Sequence, residues 1–246
     1  VLRYEWDTDG YRLDRILFLN GDMLTCISLH TIARIDRLGR VTALYDLGDD
    51  YALHHDFNFG QTENELVVLA TATEGLIVDD LVLEIDLDDG DVRVLVDMKD
   101  LLPDYFAETR LALITDPFPY ELGHRDWIHL NTIETMEGDC LLLSSRETSS
   151  IMKLSNVHGE ATLDYMIADE QIWEDTGYED TLLACEGDFM PQYGQHDTQV
   201  LPDDDPTDGQ YQILLYNNNY FVMSSRDDWR IDLDPAAVSV SMIRMY

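Results

Sequence analysis

Short apolar runs broken by Asn-Gly, Asp-Gly and other glycine-bearing turns recur along almost the whole chain. This rhythm leaves room for little but β-structure. The first unit reads as strands over residues 15–20, 23–29, 31–36 and 41–47, with Asn20-Gly21 as the first hairpin turn. Its phrase Ala33-Arg34-Ile35-Asp36 before Gly39 recurs as Leu83-Glu84-Ile85-Asp86 before Gly90. It returns more loosely as Met152-Lys153-Leu154-Ser155 before Gly159. Repeated four-stranded units of about 40 to 50 residues predict a β-propeller.

With 246 residues the chain is expected to form a single propeller domain over 1–246, or part of one. Four units are recognisable, at about 10–50, 51–100, 126–168 and 195–246, with loops at 101–125 and 169–194 between them. The last unit is incomplete: residues 238–246 read as a third strand with no fourth after it. Residues 99–106 and 170–175 break the strand rule and read as short helices or structured loops. The chain starts at Val1 without an initiator Met or a signal-peptide pattern, so it reads as a processed chain or a fragment and is silent on targeting. No run approaches the roughly 18 apolar residues that cross a bilayer.

The formal charge is −35, from 50 acidic and 15 basic residues, and only Lys99 and Lys153 are lysines. Nucleic acid and anionic membranes are therefore disfavoured as partners, because both need clustered Lys and Arg. The acidity reads first as a solvated surface, for which a salt-rich habitat is one reason. The acidic runs at 86–91 and Asp203-Asp204-Asp205 match no EF-hand and read as solubilising loops. Cys26, Cys140 and Cys185 form no Cys-x-x-Cys pair and suggest no zinc site.

Against this scarcity of nitrogenous side chains, three segments place a histidine alike: His54-His55-Asp56, Trp127-Ile128-His129-Leu130-Asn131 and Gln195-His196-Asp197. Each opens a unit, and an apolar strand follows each, at 65–70, 140–144 and 211–216. In a propeller the first strand of every blade lines the central axis, so His55, His129 and His196 can converge there. Arg146 in Ser144-Ser145-Arg146 falls at the end of the second strand of its blade and can reach the same mouth. Blander readings stand beside this one. Each histidine fits a structural hydrogen bond to a neighbouring blade, Arg146 fits an ion pair with Glu147, Trp127 fits a core, and Asn217-Asn218-Asn219 fits a turn. Three imidazoles also suit a transition metal. A guanidinium would repel a dication, whereas imidazoles plus a guanidinium describe an oxyanion pocket.

These motifs resemble the PAPS-independent aryl-sulfate sulfotransferases, the bacterial arylsulfotransferase propeller family. The resemblance rests on His54-His55-Asp56, Asp126-Trp127-Ile128-His129-Leu130-Asn131, Ser144-Ser145-Arg146, Cys185-Glu186-Gly187-Asp188-Phe189 and Gln195-His196, over roughly residues 10–246. It implies an all-β, six-bladed propeller, of which this chain holds the catalytic portion. It also implies a ping-pong transfer of a sulfuryl group from a phenolic sulfate donor to a phenol acceptor through a sulfohistidine. By position His196 resembles the nucleophile. His129, Arg146 and His55 resemble the groups around the transferring sulfuryl oxygens, with His54, Asn131 and Trp127 as substrate-binding neighbours. The family implies no cofactor and no metal, a periplasmic or secreted location, and leaves room for a homodimer. The alternative is a non-catalytic propeller that binds an anion or a protein partner.

A surface this acidic should gain thermal stability from added salt, and the apparent affinity for an anionic ester should depend strongly on salt, because screening shortens the field to roughly 8 Å at physiological ionic strength. Melting curves and KM measured from low to molar salt check both, and a flat response removes the idea.

Overall fold

The computed structural model describes residues 15–74, 78–109, 127–187, 191–202, 210–219, 221–222, 230–231 and 239–245. His124, Asp126, Asp188, Phe189 and Asp203-Asp204-Asp205 lie outside them. Three four-stranded antiparallel meanders follow one another. The first is β1 (Ile16–Leu19), β2 (Asp22–Cys26), β3 (Thr31–Ile35) and β4 (Val41–Asp46). The second is β5 (Tyr51–Phe59), β6 (Glu65–Ala72), β7 (Asp80–Asp86) and β8 (Val92–Asp97). The third is β9 (Leu130–Met136), β10 (Cys140–Ser145), β11 (Ser150–Ser155) and β12 (Thr162–Ile167). A fourth sheet has the order β13 (His196–Leu201), β14 (Tyr211–Asn217) and β17 (Ser239–Met245). A separate two-stranded pair, β15 (Phe221–Val222) and β16 (Arg230–Ile231), is inserted before β17. The fold is an all-β propeller with four blades.

The blades stack face to face, and this explains their sequences. On β6, Leu66, Val68 and Ala70 face the first blade, packing with Leu24, Ile32 and Tyr45. Val67 and Leu69 face the third blade, with Leu141, Leu143, Met152 and Leu154. On β10, Leu142 turns to the fourth blade and meets Ile213 and Leu215. A second strand covered on both faces carries a continuous apolar run, 66–70 on β6 and 140–143 on β10, whereas the outer strands β4, β8 and β12 alternate and stay partly exposed. Each buried Leu or Val contributes about 1.5–3 kcal/mol.

The Asn20-Gly21 turn has φ of 52° and 87°, the left-handed pair of a two-residue hairpin. The segment at 99–106, read as short helices or a structured loop, lies within two helices, α1 (Met98–Leu101) and α2 (Pro103–Thr109). The Leu102 amide closes α1 on the Met98 carbonyl at 2.9 Å, and Pro103, which has no N–H, can only start a new helix. These helices and α3 (Glu170–Trp173) bring Tyr105, Phe106 and Trp173 against Trp127, under one end of the second and third blades. Among the described residues no helix is long and apolar enough to cross a membrane.

At the periphery His158 is clamped between two carboxylates. Its Nε2 meets Glu84 of β7 at 2.6 Å and its Nδ1 meets Asp139 in the β9–β10 turn, and Glu84 also receives Arg93. The Asp139 contact, seconded by Glu84, raises the histidine above its ordinary pKa despite desolvation. A raised folded value gives stability that is complete below the unfolded pKa near 6.5 and is lost as pH rises through the folded value. His158→Ala should therefore cost about 0.5–1 kcal/mol at pH 6 and much less at pH 9. Urea unfolding at the two pH values checks this; an equal loss at both would refute it.

Candidate active site

The inner strands β5, β9 and β13 lie side by side, and each slips register near one end. The slips fall between Leu53 and Phe57 on β5, opposite Ser144/Ser145 on β9, and between His196 and Gln199 on β13. At or beside each bulge one residue is left-handed: His55 (φ 56°), His129 (φ 53°) and Asp197 (φ 50°). Bulges re-aim side chains and recur beside active sites. A left-handed non-glycine residue costs about 1 kcal/mol and persists only where its surroundings hold it. Here they do. The Asp80 carboxylate, almost fully buried, accepts the His129 N–H at 3.2 Å and the Leu130 N–H at 3.0 Å. Asp56 accepts the Phe57 and Ile133 N–H groups at 3.0 Å and pairs with Arg15 at 2.9 Å. Burial nevertheless raises the Asp56 carboxyl above the usual range.

The result is one cluster. His55, His129 and His196 bring ring nitrogens within 4.8 Å of one another. The Nε2 atoms of His55 and His129 are 3.1 Å apart, and the His55 and His196 ring centres 6.2 Å. The Arg146 amide donates to the His129 carbonyl at 3.0 Å, so the guanidinium is anchored to the same bulge. Its Nε donates to Glu147 at 2.9 Å, so the ion pair weighed against a site role exists. The guanidinium nevertheless bears on the cluster: with desolvation first, the charges of His129, His54, His196 and Arg146 hold His55 well below its ordinary pKa. Desolvation, then Arg146, lowers His196 as well, against smaller opposing effects of the Gly194 carbonyl and Asp197. Both imidazoles are neutral at pH 7.

His196 Nδ1 lies 3.2 Å from the Gly194 carbonyl, which also accepts from Asn218. A proton on Nδ1 leaves a lone pair on Nε2. Asn218 Nδ2 stands 2.9 Å from that Nδ1. The asparagine run thus does turn the chain at the end of β14, and it also frames the histidine. Only proximity in space reveals this, because runs of Asn are ordinary turn signals. Asp80 was equally hidden, since nothing local marks one Asp among many.

The other expected substrate-binding residues stand back from the cluster. Trp127 is fully buried among Tyr105, Phe106 and the third-blade core. The motif placed it near His129 in sequence, but Ile128 and Trp127 continue inward to cover the apolar end of the blade. Asn131 is buried and donates to the Gln195 carbonyl at 2.7 Å, tying β9 to the entry of β13. His54 is buried behind His55, with the two Nδ1 atoms 3.2 Å apart. A separate cleft of about 950 Å³ lies along 168–191, lined by Asp169, Glu170, Glu174, Glu179 and Cys185, and holds none of the cluster.

Three imidazoles with ring nitrogens within 4.8 Å of one another offer enough donors for a cation, but a guanidinium stands in the same cluster. The Arg146 charge on His55 and His196 opposes a dication. A tetrahedral anion fits the donor set better.

A family model described as Arylsulfotransferase (ASST) matches residues 1–240. The chain belongs to the arylsulfotransferase family. No curated protein matches it. Solved structures similar to this arylsulfotransferase-family chain include the Neurospora crassa Pan2 WD40 domain, at 12% identity and a TM-score of 0.44, covering 94% of this chain and 48% of that one. A protein of unknown function from Bacteroides caccae shows 11% identity and 0.43, with 96% and 61% covered. A protein from Lactobacillus plantarum shows 14% and 0.43, with 95% and 58% covered. The chain thus spans between 48% and 61% of the length of these three structures.

The depressed pKa of His55 fixes a pH dependence. Below the unfolded value near 6.5 the unfolded chain binds a proton that the folded site refuses, so stability falls as pH drops from 6.5 toward the folded value. In His55→Gln that part of the acid sensitivity should vanish. Denaturant midpoints at pH 7.5 and 5.5 test it; an unchanged pH slope in the variant would contradict it.

Proposed function

We propose that this arylsulfotransferase-family chain carries the catalytic portion of a PAPS-independent aryl-sulfate sulfotransferase. It would move a sulfuryl group from a phenolic sulfate to a second phenol in two steps, through sulfated His196. The observation that carries the reading is the convergence of His55, His129 and His196 from three inner strands, with the Arg146 charge bearing on two of them.

With its Nδ1 proton donated to the Gly194 carbonyl, neutral His196 keeps its lone pair on Nε2 and can attack sulfur at neutral pH. In the first step an N–S bond forms at Nε2 and the S–O bond to the aryl group breaks. His129 holds the proton that passes to the departing aryl oxygen. In the second step the oxygen of the acceptor phenol attacks sulfur, the N–S bond breaks, and His129 takes the phenol's proton back. Arg146 serves the sulfuryl oxygens, where a preorganised donor is worth about 3 kcal/mol. Neutral His55 and His196 leave Arg146 as a fixed cation of the pocket, so an anionic ester is recognised without charging the nucleophile. Acceptance of a phenolic sulfate and a phenol, rather than an alkyl ester, comes from the family.

Incubation with p-nitrophenyl sulfate alone should release no more than about one equivalent of p-nitrophenol per protein, and continued release should require phenol. His196→Ala should abolish release, and Arg146→Ala should lower kcat by about 10²–10³-fold. Without acceptor, intact-mass analysis should find one SO₃ group on the protein, absent from His196→Ala. Full transfer by His196→Ala would end this reading.

A further inference from the structure

The reaction above uses His196, His129 and Arg146 directly and leaves a buried line of polar groups behind His55. Asp80 Oδ1 lies 3.5 Å from His54 Nε2, His54 Nδ1 lies 3.2 Å from His55 Nδ1, and His55 Nε2 lies 3.1 Å from His129 Nε2. Successive rings meet edge-on, at interplanar angles of 81° and 70°. His54 and Asp80 are almost entirely shielded from water.

A neutral imidazole has one donor and one acceptor nitrogen, so a line of imidazoles must run in one direction throughout. A carboxylate only accepts, and Asp80 is already committed to the N–H groups of His129 and Leu130. The end of the line at Asp80 therefore wants a donor. That puts the His54 proton on Nε2 and leaves Nδ1 to accept. His55 must then donate through Nδ1, its own Nε2 must accept, and His129 must donate through Nε2. The opposite direction would turn a lone pair of His54 toward the carboxylate in a site shielded from bulk solvent, where the repulsion is little screened.

We propose that Asp80 and His54 are positioning residues that hold His55 in its Nδ1–H tautomer, so that the Nε2 lone pair of His55 keeps a proton on Nε2 of His129, the acid of the reaction. The inference rests on the proposed function for its purpose, though not for its geometry. Neither residue touches the substrate. Asp80 serves the acid twice, fixing its main chain directly and its proton through two rings. When His129 has given its proton away, two lone pairs face each other across the 3.1 Å contact. This favours return of a proton from the incoming phenol.

Two measurements test this, one of which needs no turnover. In ¹⁵N-histidine-labelled protein, His55 should show the Nδ1–H pattern. His54→Phe, which cannot accept, should move it toward Nε2–H, and His54→Gln, whose side-chain oxygen can accept, should restore it. An Nε2–H pattern for His55 in the unaltered protein overturns the proposal. In the transfer assay, His54→Phe should lower kcat at least tenfold for esters of poorly acidic phenols. It should leave the first, sulfating step from p-nitrophenyl sulfate, read as the burst without acceptor, nearly unchanged, because that phenolate departs without a proton. A loss equal for all leaving groups also overturns it, since a purely structural defect would act that way. If the unaltered protein transfers nothing while the tautomers respond as stated, the proposed function fails and the tautomer assignment stands.

Discussion

A strand that keeps perfect pleat cannot aim a side chain along the axis that the strands surround, and three inner strands of this protein give up their register at that point. The slip at Leu53–Phe57, its counterpart opposite Ser144/Ser145 and the one at His196–Gln199 each turn a residue left-handed. The cost is covered by buried partners: Asp80 and Asp56 take main-chain N–H groups that the ladders leave behind. Everything chemical in the cluster follows from this exchange of strand pairing for side-chain acceptors. Behind them stands the stack of blades, whose second strands β6 and β10 bury apolar residues on both faces.

Much of this could be read in the chain. The continuous apolar run of β6 announced a doubly covered strand, Asn20-Gly21 announced a hairpin, and the recurrent histidines marked the inner ends of blades. What could not be read shares one cause, since it depends on contacts between residues distant in sequence. Proximity to His129 in a motif suggested a ligand-binding Trp127, yet burial is decided by Tyr105 and Phe106 from another segment. Asn131 sits two residues from His129 and spends its amide on Gln195 across the blade junction. Asp80 is one carboxylate among fifty acidic residues, distinguished only by what lies opposite it. The break at Pro103 was legible in principle, because proline has no N–H to continue a helix.

The electrostatics divide by depth. The surface charge of −35 is spread over solvated groups and is screened within about a nanometre. In the cluster, desolvation is the largest influence on His55 and His196, and the nearest fixed cation is Arg146. A strongly acidic exterior and a cluster of neutral imidazoles beside a guanidinium are thus compatible, because the two are governed by different dielectric surroundings.

The fourth sheet differs from the others: between β14 and β17 the chain leaves to form the β15–β16 pair and then returns to the same edge. Since β17 joins β14 along its full length, the excursion leaves the register of β14, and with it the seat of His196, undisturbed. Changes of length or sequence in that excursion can therefore be absorbed away from β14, leaving His196 where the strand pairing holds it.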